Sequence, residues 1–173
     1  HIEEAIKLGV DMYLINSLCI AMLTGMLGTA VSYYTAFLTA RSKKNFSNML
    51  LHMISMLSLA IPGVVLGLSY VLFFHDSWIY GTLVILITVN CIHFFASPYL
   101  MAYNSLKQFN ENLEDVALTL GISRWRMLWD VYVPGTKETI LEMFSYFFVN
   151  GMVTISAVSF LANFKNMPLA LLI

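Results

Sequence analysis

The chain has 173 residues, 59% of them hydrophobic and only 11% charged, with a mean hydropathy of +0.76 and a net charge of −1. A soluble domain is roughly 45–50% apolar and about 25% charged. This chain therefore lacks the polar surface to cover a water-soluble globule and reads as an integral membrane protein, with no basic excess for nucleic acid.

Residues 1–11 carry Glu3, Glu4 and Asp11 and do not form the basic n-region of a secretory signal. The first residue is not Met, and residues 169–173 end inside an apolar run. The expectation is one transmembrane domain over 1–173, part of a longer chain with its final span missing. Residues 14–40 form the first expected span. Gly25, Gly28, Ala30 and Ser32 within it are small residues that let helices approach closely in lipid. Arg41, Lys43 and Lys44 follow as a basic cluster.

Residues 49–74 form the second expected span, with Pro62-Gly63 near its middle. Proline removes a helical hydrogen bond and kinks the helix. Two readings stand, a hinge or cavity-lining break and a static packing kink. His75-Asp76-Ser77 is a turn, and Trp78 and Tyr80 suit an interfacial belt. Residues 79–102 form the third expected span, bent by Ser97-Pro98 near its end. Its Asn90 and His93 either line a substrate path or hydrogen-bond between helices. Residues 107–137 are a polar interruption. Residues 139–161 form the fourth expected span, with Glu138 and Glu142 at its start and Asn150 inside it as a further candidate path residue. Residues 163–168 make a polar turn, and the run 169–173 begins another span. Cys19 and Cys91 lie in apolar runs and read as small buried hydrophobes.

Arg41, Lys43, Lys44, Lys107, Arg124, Arg126 and Lys137 fall in two loops on one side, and Lys7 and Lys165 on the other. The positive-inside rule places loops 41–48 and 107–137 in the cytoplasm and the N-terminal stretch outside. Within the second loop, residues 110–134 read as helix, turn, helix. Asn110 caps the first helix, and Leu113, Val116, Ala117 and Leu120 form an apolar stripe. Gly121 ends that helix in a left-handed cap. Ser123 caps a second helix, whose stripe is Trp125, Leu128, Trp129 and Tyr132. Pro134 stops it. Both stripes are expected to pack on the cytoplasmic ends of the spans, or the segment lies as an amphipathic loop on the membrane surface.

The spacing of Asp115-Val116-Ala117, Gly121 six positions after Asp115, and Val131-Tyr132-Val133-Pro134 resembles the signature of permease subunits of binding-protein-dependent ABC importers. That signature reads E-A-A-x-x-x-G, nine residues, then I-x-L-P. Asp115 and Val116 depart from it, and Val131 and Val133 replace Ile and Leu. Ala117, Gly121 and Pro134 match. Asn16-Ser17-Leu18, the run 60–67, Tyr80-Gly81-Thr82, Ser156-Ala157-Val158 and Phe160-Leu161 also look like that family. They most resemble its branch for ferric iron, 2-aminoethylphosphonate, polyamines and thiamine.

The resemblance implies an all-α polytopic helix bundle in a bacterial inner membrane, of the type I importer permease kind. It would have about four complete spans and the start of another, with a cytoplasmic coupling helix. Such a chain is not an enzyme and holds no cofactor or metal, since ATP and Mg bind a partner. The implied partners are cytoplasmic ATPase subunits, an extracytoplasmic substrate-binding protein, a second permease subunit or fused second half, and lipid. The implied ATPase-coupling contacts are Glu114, Asp115, Ala117, Leu118, Gly121, Ser123 and Arg124. Ferric iron or 2-aminoethylphosphonate would be the cargo. The competing classes are an ATP-independent secondary transporter or channel, and an integral membrane enzyme. The last would need a metal or nucleophile cluster, whereas His52, His75 and His93 are scattered.

Overall fold

The computed structural model describes residues 10–43 and 45–154, with side chains from residue 14 onward. The expected features at residues 1–9, Lys44 and 155–173 lie outside this range. The described chain is helical, with no strand in it. Helix α1 (Val10–Ala40) contains the apolar stretch Leu14–Ala40, long enough to cross a bilayer unaided. Helix α2 (Phe46–Met56) starts where Asn45 Oδ1 accepts the Asn48 amide at 2.8 Å. The Asn48 side chain in turn donates to the Thr39 carbonyl at the end of α1, at 3.1 Å.

The second expected span is not one kinked helix. After the 3₁₀ turn Leu57–Leu59 the chain turns 105° into α3 (Gly63–Phe74). Pro62 is extended (φ −60°, ψ 140°) and supplies no amide to continue the ladder, so the chain makes a corner. The third expected span is also divided, into α4 (Leu83–His93) and α5 (Ala96–Lys107), 52° apart. The bend lies at Phe94–Phe95, upstream of Pro98, and the second piece runs on to Lys107 rather than ending at Ala102. Pro98 sits in the first turn of α5, where an amide would be unpaired anyway. Its ring conflicts with the carbonyl four residues back, at Phe94. The two corners interlock, since the Ala96 amide donates to Ser58 Oγ at 3.0 Å. Each bent pair is long and apolar enough to count as one broken span.

Short helical pieces lie between α5 and the last described helix, three of them before Pro134. These three are α6 (Leu113–Thr119), α7 (Arg124–Met127) and a π turn, Leu128–Tyr132. Pro134 does not stop the chain. It rides in the turn Val133–Gly135, and α8 (Lys137–Val153) begins at once. The Val133 amide bonds Leu128 O, five residues back, which absorbs the extra residue ahead of the proline. The remainder of the fourth expected span lies beyond the described residues.

Helices α1 and α8 make the closest contact. A Cβ on Gly25 would stand 2.7 Å from the Phe144 ring, one on Gly28 2.8 Å from Phe147, and one on Gly151 3.2 Å from the Ala21 backbone. Lipid supplies no hydrophobic drive between helices, so such small-residue approaches carry the packing. Ala30, expected among them, is exposed, whereas Ser32 is buried and donates to Gly28 O at 2.6 Å. One apolar cluster centres on Ile20, Ile85, Leu86 and Val89. The other joins Tyr33 and Phe37 of α1 to Tyr99 and Leu106 of α5, Met143 of α8, and Ala117, Met127, Leu128 and Tyr132 of the polar segment.

Candidate functional site: a braced helix at one end of the bundle

The polar segment is built by local signals at each joint. Asn110 Oδ1 accepts the Asn112 amide at 2.9 Å, so Asn110 shapes the turn before α6 and does not cap the helix itself. Glu114 and Asp115 occupy the first turn, where the helix dipole favours acids. At the other end the Ile122 amide bonds Ala117 O at 2.8 Å and the Gly121 amide bonds Leu118 O at 3.1 Å. This is a Schellman cap, with Gly121 at φ +69° as the sequence requires. Ser123 Oγ accepts the Arg126 amide at 3.3 Å and starts α7.

The expected stripes are corrected. Of the first stripe, Ala117 is buried and Leu113 partly so, but Val116 and Leu120 are 52% and 68% exposed, as is Leu118 off the stripe, at 76%. On the second stripe Leu128 and Tyr132 are buried, while Trp125 and Trp129 face outward in an edge-to-face pair. Helix α6 thus rests on one narrow edge and presents Asp115, Val116, Leu118 and Leu120 outward.

Arg41 holds this helix in place. Although it stands in the basic cluster with Lys43 and Lys44, it is only 7% exposed. Its Nε and Nη2 donate to Glu114 Oε1 and Oε2 at 2.7 and 2.6 Å, a bidentate pair. Nη1 donates to Phe109 O at 3.2 Å and Leu106 O at 3.5 Å, and Nη2 to Asn110 O at 2.7 Å. These carbonyls lie at and beyond the C-terminal end of α5, where the helical ladder runs out, and Asn110 O also accepts the Leu113 amide of α6 at 3.3 Å. Tyr132 OH donates to Glu114 Oε1 at 2.6 Å and accepts from Arg41 Nε at 3.1 Å. Arg124 Nη2 reaches back to Arg41 O and Ser42 Oγ at 3.1 and 3.0 Å.

Burial alone would raise the Glu114 pKa, but the hydrogen bonds from Arg41 and Tyr132 outweigh it and hold the carboxyl below its ordinary value. Burial, and then the neighbouring Glu114 carboxylate, push the Tyr132 phenol up to about 12. The cluster is therefore a carboxylate, a guanidinium and a neutral phenol throughout the physiological range.

The sequence-predicted residues divide accordingly. Glu114, Ala117 and Arg124 face the bundle, the first and last through hydrogen bonds and the second through packing. Asp115 and Leu118 face out, and Gly121 and Ser123 form the exposed turn. The second group, Pro62, Gly63, Asn90, His93 and Asn150, does not form one site. Ile61 and His93 line a largely apolar cavity of about 370 Å³ with Thr35, Ser55 and Phe95. Pro62 and Gly63 mark the 105° corner. Asn90 is buried on α4, its Oδ1 without a partner among the described residues. Asn150 donates to Tyr146 O on its own helix at 2.7 Å. Among the described residues no three His, Cys, Asp or Glu side chains gather as a metal site.

Residues 28–173 match the family model for the binding-protein-dependent transport system inner membrane component. A ferric transport system permease protein, FbpB, of Actinobacillus pleuropneumoniae is 30% identical over 145 residues, 83% of this chain and 20% of that protein. A Haemophilus influenzae protein bearing the same ferric-system name is 31% identical over 145 residues, 83% of this chain and 22% of its own length. A spermidine/putrescine transport system permease protein PotC homolog of Mycoplasma pneumoniae is 28% identical over 133 residues, 75% of this chain and 46% of that protein. The chain thus spans about a fifth of the length of the two ferric permeases it matches. With the all-helical bundle and the Asp115–Gly121–Pro134 spacing, the match over 28–173 identifies this chain as a member of the inner membrane component family of binding-protein-dependent transport systems.

Proposed function

We propose that the chain is a transmembrane permease segment of an ATP-driven importer, and that residues 110–134 transmit the ATPase cycle to the spans. The carrying observation is α6, a helix held from beneath by Arg41 whose outer face exposes Asp115, Leu118 and Leu120. Exposed leucines on a seven-residue helix are costly in water and suit a groove on a partner. The acid beside them suits a basic group in that groove. The positive-inside count supports a cytoplasmic position for the segment.

ATP binding to two partner subunits would draw two such helices together and turn the pathway outward, and hydrolysis would reset it. The second helix would come from another permease subunit or a fused second half. A substrate-binding protein outside would deliver the cargo. The two ferric-system relatives favour ferric iron, and the polyamine-system relative supports polyamines as the second reading.

The test is uptake of radioactive iron by liposomes holding the full transporter with its ATPase, with loaded binding protein outside. Uptake that needs ATP on the ATPase side and stops in Asp115→Lys or Gly121→Pro is expected. ATP-independent uptake would instead show a secondary carrier. Variants that assemble and import at the wild-type rate would remove the coupling role from this segment.

A further inference from the structure

We infer that Arg41 is the positioning residue that ties the motion of α6 to three membrane helices at once, so that transport per ATP depends on its forked side chain and not on its charge alone. This rests on reading α6 as the ATPase contact.

A seven-residue helix passes on a push only if its base is fixed. Few side chains of α6 pack inward, chiefly Leu113 and Ala117. The turn before α6 is held by Arg41 itself through Asn110 O, and the glycine turn after it leads to Arg124, which bonds Arg41 O. The side chain of α6 that fixes its orientation is Glu114, whose two oxygens lie in the Arg41 fork while Oε1 also accepts from Tyr132 OH. A single point contact would let the helix rotate, whereas two parallel bonds to a planar group resist rotation as well as translation.

The same guanidinium holds the end of α5 through Leu106 O, Phe109 O and Asn110 O. Through Tyr132 it meets the π turn that leads directly into α8. Its own backbone is the end of α1, and Arg124 closes the loop by bonding that backbone carbonyl. Displacing α6 therefore loads α1, α5 and the entry to α8 together. Lysine keeps the charge but supplies no planar fork and cannot make the bidentate pair along with three carbonyl contacts.

The experiment uses the complete transporter in liposomes, with ATPase and binding protein. It compares wild type, Arg41→Lys and the double variant Arg41→Met/Glu114→Met, which removes both charges and leaves no buried ion unpaired. Assembly, ATP hydrolysis and uptake are measured together. The expected result is assembly and ATP hydrolysis near wild type, with transport per ATP reduced about tenfold, the size of an ordinary coupling energy. Uptake that falls only in proportion to assembled complex, in both variants, makes Arg41 a folding residue and overturns the inference. Unchanged transport per ATP in Arg41→Lys overturns it too. A photo-cross-linking side chain at Leu118 separates the two readings. If it captures no ATPase in wild type, the coupling contact itself is wrong. If it captures the ATPase while Arg41→Lys stays fully coupled, only the role of Arg41 is wrong.

Discussion

Arg41 and Glu114 stand 73 positions apart and meet through a two-bond fork, Nε to Oε1 at 2.7 Å and Nη2 to Oε2 at 2.6 Å. The arginine side chain is 3% exposed and the glutamate 22%. The pair joins the end of the first membrane helix to a helix whose other inward side chains are chiefly Leu113 and Ala117.

Removing one partner leaves the other charge buried. Glu114→Ala is expected to destabilise the protein by about 3 kcal/mol, the low end for a broken buried pair because the glutamate keeps some solvent contact. Asp115→Ala, one residue away and exposed, is expected to change stability by less than about 0.5 kcal/mol. Thermal unfolding of the two variants in detergent checks the contrast, and equal losses would contradict it.

The pH dependence has a definite sign. The Glu114 carboxyl is held below its ordinary value, so its stabilisation is present at neutral pH and is lost as pH falls through the lowered folded value. Tyr132 is raised to about 12, so its contribution is present at neutral pH and is lost only as pH rises through that value. The stability difference between wild type and Glu114→Gln should be flat from neutral to mildly alkaline pH and shrink on acidification. A difference that grows in acid would be inconsistent with the bridge.

Gly121 is needed for its backbone and not for space. Its φ is +69°, and a Cβ there would meet nothing within 4 Å. Gly121→Ala is expected to cost about 1–2 kcal/mol, from strain in the left-handed region alone. Gly121→Asn should cost less, and Gly121→Val more, through its branched Cβ. Unfolding midpoints for the three variants give the order directly.

The contact between α1 and α8 makes the opposite demand. At Gly28 a Cβ would stand 2.8 Å from the Phe147 ring, which is fully buried and has no room to retreat. Gly28→Ala is expected to cost about 1–3 kcal/mol. Adding Phe147→Leu should recover part of that loss, giving a favourable interaction in the double-mutant cycle. Strict additivity would show that the two residues do not touch.

Much of the candidate site was legible in the chain. Gly121 and Ser123 occupy the cap positions their residue types favour, because such signals act within a few neighbouring residues. Pro62 stands at a break and Pro98 inside the helix that follows one, because the angle and the place of a break depend on what receives the freed groups. Ser58, 38 residues from Ala96, settles the second corner. The stripes of α6 and α7 misled for a related reason. Apolar periodicity marks a candidate face, but not how much of it meets the bundle, and Val116 and Leu120 of the first stripe are exposed.

Composition by itself indicated a helical membrane chain, and local residue types placed the caps at Gly121 and Ser123, since both depend on residue type and near neighbours; the family rests on the resemblance at residues 115–134 and the match over 28–173. Tertiary structure alone decided that Arg41 is buried, and that Glu114 faces inward while Asp115 faces out. The physical reason is distance along the chain. A buried charge is tolerated only where opposite charge and carbonyls converge on it, and here they come from α5, α6 and the π turn, which only folding brings to the end of α1.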